Sequence, residues 1–313
     1  MSHLVQTMAY ANETPWHGLG NNLAAYAPIE VWAKQAGMEW TIQESPVYFM
    51  PAVTAALAPV KAQKVLYRSD NGEALSVVSQ RFQVVQPQEV LEFYRDLTKA
   101  NGFTLETAGV LKGGRKVWAL AKTNMSSRIK GNDTMNGYLL LATGCDGTLA
   151  TTAQFTSIRV VCNNTLAVAL ANGGVAVKVP HSTTFDAASV KQQLGLSSNV
   201  WDDFIYRMKK LSERKLKIKE AEVFISQLFT DPNRSLTNAR AKQKVMALYS
   251  GNGRGAELSS AQGTAFGLLN AVTEFTDHER RARNNDYRLD SAWFGTGAHL
   301  KSLALHRAMA LAA

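Results

Sequence analysis

The sequence predicts an α+β fold: an antiparallel sheet of β-hairpins with packed helices over residues 1–183, then a mostly helical region over 184–313 packed on that core. Three observations carry this. Apolar-alternating runs joined by Gly-containing turns crowd the first region. Helical periodicity dominates the second. No internal repeat or low-complexity tract interrupts either. A chain of 313 residues can enclose a sizeable core, as one large domain or two modest ones.

The elements follow in order. The opening to about Pro28 is rich in Asn, Gly and Pro and reads as irregular. PIEVWAKQAG is a short helix with Pro28 near its start and Gly37 at its end. EWTIQESPVYFM reads as a strand, and KVLYRSDNGEALSVVS as a hairpin turning at Asn71-Gly72. QPQEVLEFYRDLTKANG is a helix: Pro87 opens it, Val90, Leu91, Tyr94 and Leu97 form its apolar stripe, and Asn101-Gly102 stops it. Two more hairpins turn at Gly113-Gly114 and at Asp146-Gly147. NTLAVALAN reads as a short helix capped by Asn163 or Asn164, and GVAVKVPH as a strand. From about Thr184 the pattern is helical, with breaks near TDPNRS, SGNGRGAE and NNDYR.

Charge narrows the function classes. Lys and Arg number 34 against 25 Asp and Glu, a net +9, which favours polyanionic partners, nucleic acid before an anionic membrane surface. No apolar run approaches the roughly 20 residues a membrane helix needs. The N-terminus lacks a basic segment followed by an apolar one, so a cytoplasmic protein is expected. Cys145 and Cys162 have no metal-ligand spacing and suit a reducing compartment as small buried side chains.

Two basic surfaces are expected. Lys112, Arg115 and Lys116 flank the Gly-Gly turn and would present a cluster at a hairpin tip. In WDDFIYRMKKLSERKLKIKE, Arg207, Lys210, Arg214 and Lys217 recur at helical spacing, beside an apolar stripe of Phe204, Met208, Leu211 and Ile218. A solvated helix face explains mixed charges, but Arg207–Lys219 holds seven basic residues and one acidic. A further group, Arg280, Arg281, Arg283 and Arg288, lies in ERRARNNDYR.

Arg159 sits within the strand-like TSIRVV. Alternation puts it with Phe155, Ser157 and Val161 on one face, and Thr156, Ile158, Val160 and Cys162 on the other, the better core face. Arg159 then either lines a sheet surface that holds a single-stranded backbone, or pairs with an interior carboxylate such as Glu106.

Catalytic patterns are weak. The six histidines make no HExxH or CxxC/His arrangement, and GNGRG lacks the Lys-Ser/Thr of a phosphate loop. One polar set stands out: Asn270, Glu274, Asp277 and His278 share a helical face opposite Phe266, Leu269 and Val272. Glu274, Asp277 and His278 could hold a divalent metal such as Mg²⁺. A solvated face or partners for nearby arginines explain them as well.

Four stretches, MAYANETPWHGLG (Met8–Gly20), TSIRVVCNNTL (Thr156–Leu166), TAFGLLNAVTEFTDH (Thr264–His278) and SAWFGTGAHLKSLAL (Ser291–Leu305), together resemble the phage/plasmid-like protein family, also called domain of unknown function 932. The resemblance runs from end to end and implies a protein of bacteriophages, plasmids or other mobile elements in a bacterial host, without implying an activity. It gives weight to Trp16, His17, Gly18, Arg159, Cys162, Asn163, Asn164, Asn270, Glu274, Asp277, Gly295, Gly297 and Lys301. Single-strand annealing proteins of the Red-beta and Rad-fifty-two types, found in such elements, have a similar core of hairpins, helix and basic groove.

The expectation is therefore a protein that binds or anneals single-stranded DNA in recombination or replication, without catalytic residues or cofactor. Lys112, Arg115, Lys116, Arg159, Arg207, Lys210, Arg214 and Lys217 would carry the nucleic acid. Self-association is expected, with a mobile-element exonuclease or a host single-strand binding protein as further partners. The alternative is a metal-dependent, nuclease-like enzyme using Glu274, Asp277 and His278, with His17.

Overall fold

The computed structural model describes residues 8–11, 20–24, 26–54, 56–100, 102–168, 176–194, 198–230 and 238–313. It is an α+β structure, with strands in roughly the first 180 residues and a mostly helical remainder. Strands β1 (Met8–Ala11) and β2 (Asn21–Leu23) precede helix α1 (Ile29–Gln35). Strands β3 (Ile42–Phe49), β4 (Ala58–Arg68) and β5 (Ala74–Ser79) lead to α2 (Pro87–Ala100). Then come β6 (Thr104–Leu111), β7 (Lys116–Lys130), β8 (Asp133–Gly144), β9 (Thr151–Arg159), β10 (Asn164–Ala167) and β11 (Val177–Val179). The helices that follow are α3 (Ala187–Leu194), α4 (Ser198–Glu213), α5 (Ile218–Leu228), α6 (Ala239–Ala247), α7 (Ala265–Glu274), α8 (Asn285–Phe294) and α9 (Thr296–Ala312).

The larger sheet has the order β10-β9-β8-β7-β6-β1-β2, with β11 also on β9, and a smaller sheet has the order β3-β4-β5. The chain forms two compact units: Met1–Thr123 with Leu139–Gln154 and Ala176–Gly195, and Asn124–Tyr138 with Phe155–Val175 and Leu196–Ala313. They cut across the boundary expected at residue 183, because β7, β8 and β9 each contribute to both.

In the first unit the opening segment is less irregular than its composition suggests. β1 pairs antiparallel with β6 and parallel with β2, so long-range pairing overrides the weak local signal. The hairpins form as predicted at Asn71-Gly72, where Gly72 has φ +71°, and between β6 and β7. α2 buries Val90, Leu91, Phe93, Tyr94 and Leu97, and the Tyr94 hydroxyl lies 2.8 and 3.0 Å from the carbonyls of Ala119 and Leu139. Gly114 takes φ +107° where any Cβ would stand 3.1 Å from the Trp40 ring.

In the second unit the described part of NTLAVALAN, residues 164–168, departs from expectation, and the rest of it lies outside the described residues. Asn164–Ala167 is strand β10, in antiparallel register with β9 from Asn164 opposite Arg159 to Ala167 opposite Thr156. Asn163 takes φ +53° in the turn between them, a conformation Asn tolerates better than most residues. The Ala- and Leu-rich composition favours a helix locally, but pairing with β9 supplies the backbone hydrogen bonds instead. α7 is buried along its whole length and packs against α4 and α9. Its first turn passes so close to the chain that a Cβ on Gly267 would lie 1.9 Å from the Ala261 carbonyl oxygen.

Candidate functional site

Two features of the second unit carry the residues singled out in the sequence: a buried polar cluster, and the outer surface of α4 and the α4–α5 junction.

The cluster begins with Arg159, which is 1% exposed. Its Nε donates to Asp133 Oδ1 at 2.9 Å and its Nη2 to Asp133 Oδ2 at 2.7 Å. Nη2 also donates to the Gly255 carbonyl at 3.1 Å, and the Ser260 hydroxyl donates to Asp133. Gly255, at φ +68°, admits this approach, since a Cβ there would lie 2.8 Å from Val161 and 3.2 Å from the guanidinium. Desolvation alone would lower the arginine's proton affinity, but the hydrogen bonds and charge of Asp133 together with the neighbouring Cys162 outweigh it and the pKa is raised. Arg159 therefore does not line an open sheet surface, and its partner is Asp133 rather than Glu106. β9 is buried on both faces rather than on one: Phe155, Ser157 and Arg159 are interior, and so is Thr156 of the expected core face, while Val160 and Val161 beyond the strand's end are exposed. A completed ion pair makes the arginine's face compatible with the interior.

A second buried pair lies at the end of α7, where the helix widens into a π-helical turn at Phe275–Glu279. Lys301 Nζ of α9 donates to Asp277 Oδ1 and to Thr165 Oγ1, both at 2.6 Å. Asp277 Oδ2 accepts the Thr165 backbone N–H at 2.7 Å. Glu274 accepts the Arg254 backbone N–H at 3.0 Å, in the loop that follows another π-helical turn, Leu248–Asn252. His278 Nε2 lies 3.0 Å from the Cys162 carbonyl, and Asn164 Nδ2 donates to the Asn270 carbonyl at 3.2 Å. Cys162 and Cys145 are free and buried, and burial pushes their thiols up to about 11 and about 12.

This arrangement changes the metal reading. Asp277 is neutralised by Lys301, Glu274 caps a backbone N–H, and His278 faces a carbonyl. Among the described residues no group of three His, Cys, Asp or Glu side chains could hold a metal ion. The expected solvated face of α7 is interior. Trp16, His17 and Gly18 lie outside the described residues.

Burial gives two of these groups opposite pH dependences. Desolvation holds the Glu274 carboxyl above its ordinary 4.5, against the pull of the Arg254 N–H. The folded state then binds the proton more tightly, so this contribution is complete below 4.5 and is lost as pH rises through the raised value. Desolvation lowers His278 from its ordinary 6.5, so its contribution is complete above 6.5 and is lost as pH falls toward the lowered value. Urea unfolding across the acid range should show Glu274→Gln removing the first dependence and His278→Gln the second. Variant profiles parallel to wild type would show that neither group carries it.

On the surface, α4 ends at Glu213, and Lys217 has extended backbone angles as the N-cap of α5. The predicted four-cation helical stripe is therefore broken. Arg207 and Lys210 are exposed on α4, with Arg207 paired to Asp203 at 2.7 Å. Arg214 is engaged in structure: it donates to the Leu311 carbonyl at 2.8 Å and to Glu220 Oε1 at 2.7 Å. Ile218, expected in the apolar stripe, is 54% exposed, because it starts a new helix.

What the surface adds was not legible as a stripe. Lys209, Lys210, Lys215, Lys217 and Lys219 are all exposed. Tyr206 is 58% exposed with Lys210 Nζ 5.3 Å from its ring centre. In the other unit the expected hairpin-tip cluster is incomplete. Arg115 is exposed and Lys112 half-buried, but Lys116 is 4% exposed. It is the first residue of β7, opposite Leu111, and points inward.

A family model described as "Domain of unknown function (DUF932)" matches residues 74–293. The match takes in Thr156–Leu166 and Thr264–His278 but not Met8–Gly20, and only the first three residues of Ser291–Leu305, so it is shorter than the expected end-to-end resemblance. No curated protein matches the chain. No solved structure matches it.

Proposed function

The chain belongs to the family called domain of unknown function 932, a membership that brings no activity with it, and we propose from its surface chemistry that it binds single-stranded nucleic acid, DNA in the first instance, and anneals complementary strands. The observation that carries this reading is the exposed Tyr206 with Lys210 Nζ 5.3 Å from its ring centre, on a helix that leads into the exposed Lys215, Lys217 and Lys219. An aromatic ring offers a stacking platform to any base, and the ammonium groups follow the phosphates. No catalytic group is needed, since annealing requires only that bases be held accessible. The mobile-element setting and the exonuclease or single-strand-binding partners belong to the same proposal.

Fluorescence anisotropy with a labelled oligothymidylate tests it. If Lys209, Lys210, Lys217 and Lys219 each neutralise one phosphate, log K falls against log salt with a slope of about −3. Lys209→Glu with Lys210→Glu should make that slope shallower by about 1.4 while leaving the fold intact. This pair isolates the surface better than one containing Arg214, whose loss would release Leu311 and Glu220. Tyr206→Ala should weaken binding by roughly 1–3 kcal/mol without changing the slope. Affinity indifferent to salt and to all three substitutions would refute the reading. Strand exchange between labelled complementary oligonucleotides, without added metal, separates annealing from binding alone.

A further inference from the structure

The first unit carries a protrusion of opposite character to the basic surface. Residues 45–60, SPVYFMPAVTAALAPV, contain no charged side chain in a chain of net charge +9. The described residues among them form the far end of the β3–β4 hairpin. β5 pairs with β4 only from Gln63 to Tyr67, so beyond that point the ribbon has two strands. Its side chains are open to solvent: Tyr48 is 54% exposed, Phe49 52%, Met50 64%, Val53 96% and Leu57 70%. A two-stranded ribbon is marginal in water by itself, and one tipped with five large apolar side chains is an association surface.

We propose that this hairpin tip packs against the same tip of a second copy of the chain, making a twofold dimer. Two features favour a second copy. The five side chains offer on the order of 500 Å² of surface per copy, so a tip-to-tip contact that encloses them all buries at most about 1,000 Å² in total, the size at which specific interfaces begin. Two chains of net charge +9 repel, and a sixteen-residue uncharged stretch lets them meet without like charges in contact. The contact is one of side chains, since Pro46 and the register shift after it interrupt the outer edge of β3 as a template for further pairing.

Sedimentation equilibrium of the full chain over a wide concentration range tests this. The wild type is expected to dimerise reversibly, and Phe49→Asp with Leu57→Asp to remain monomeric with an unchanged melting curve. Val53→Cys, at the most exposed of the five positions, serves if the double variant fails to fold. It should form a disulfide-linked dimer with oxidised glutathione as oxidant, while the native Cys145 and Cys162 stay buried. A wild type monomeric at every concentration overturns the proposal, as does a folded double variant that still dimerises. A monomer that instead floats with phosphatidylcholine vesicles through the same residues also overturns it and assigns the tip to a lipid surface.

Discussion

Arg159→Ala is expected to lower the unfolding free energy by about 3–5 kcal/mol, because it leaves the Asp133 carboxylate charged and buried without its cation. The Asp133 and Arg159 side chains are 0% and 1% exposed, so water cannot replace the guanidinium without opening the unit. The Gly255 carbonyl loses its donor in the same substitution. Arg159→Lys should recover little, since one ammonium cannot reproduce the paired Nε and Nη2 donors at 2.9 and 2.7 Å. Denaturant unfolding, with binding measured on the folded fraction, checks both parts. Nucleic-acid affinity per folded molecule should be unchanged. Normal stability with reduced affinity would instead return Arg159 to an interface.

Lys301→Met is expected to cost a similar ~3–5 kcal/mol by stranding Asp277, which keeps only the Thr165 hydrogen bonds. Asp277→Leu alone should be equally damaging, since it buries an unpaired ammonium. The double variant, Asp277→Leu with Lys301→Met, should lose clearly less than the two single losses added, because no charge is left without a partner. Strict additivity in this cycle would show that the two side chains do not act as a pair. The Lys301 Nζ–Asp277 Oδ1 distance of 2.6 Å makes strong coupling the expected result.

Both pairs join stretches far apart in sequence, and that separation marks what was readable beforehand. The helix over Pro87–Ala100, the hairpin turns at Asn71-Gly72 and Gly113-Gly114, and the helical run after Thr184 were legible in the residues themselves. Apolar period and turn chemistry are local properties, set by a few neighbouring side chains. The α+β class follows from them. The surplus of cations over Arg207–Lys219 was legible too, as a plain count of residues.

Tertiary structure alone decided where those side chains point and what they meet. Arg159 reads equally as surface or core until Asp133, 26 residues away, closes on it. Asn164–Ala167 reads as helix until β9 offers it a ladder. Asp277 reads as a metal ligand until Lys301 is brought from the next-but-one helix to neutralise it. Lys116 reads as a tip cation until β7 turns it inward. In each case the local signal permits two environments of similar cost. For Arg159, Asn164–Ala167 and Asp277 the choice rests on a partner supplied by a distant segment, because a charge or polar backbone is stable in the interior only when its complement arrives with it.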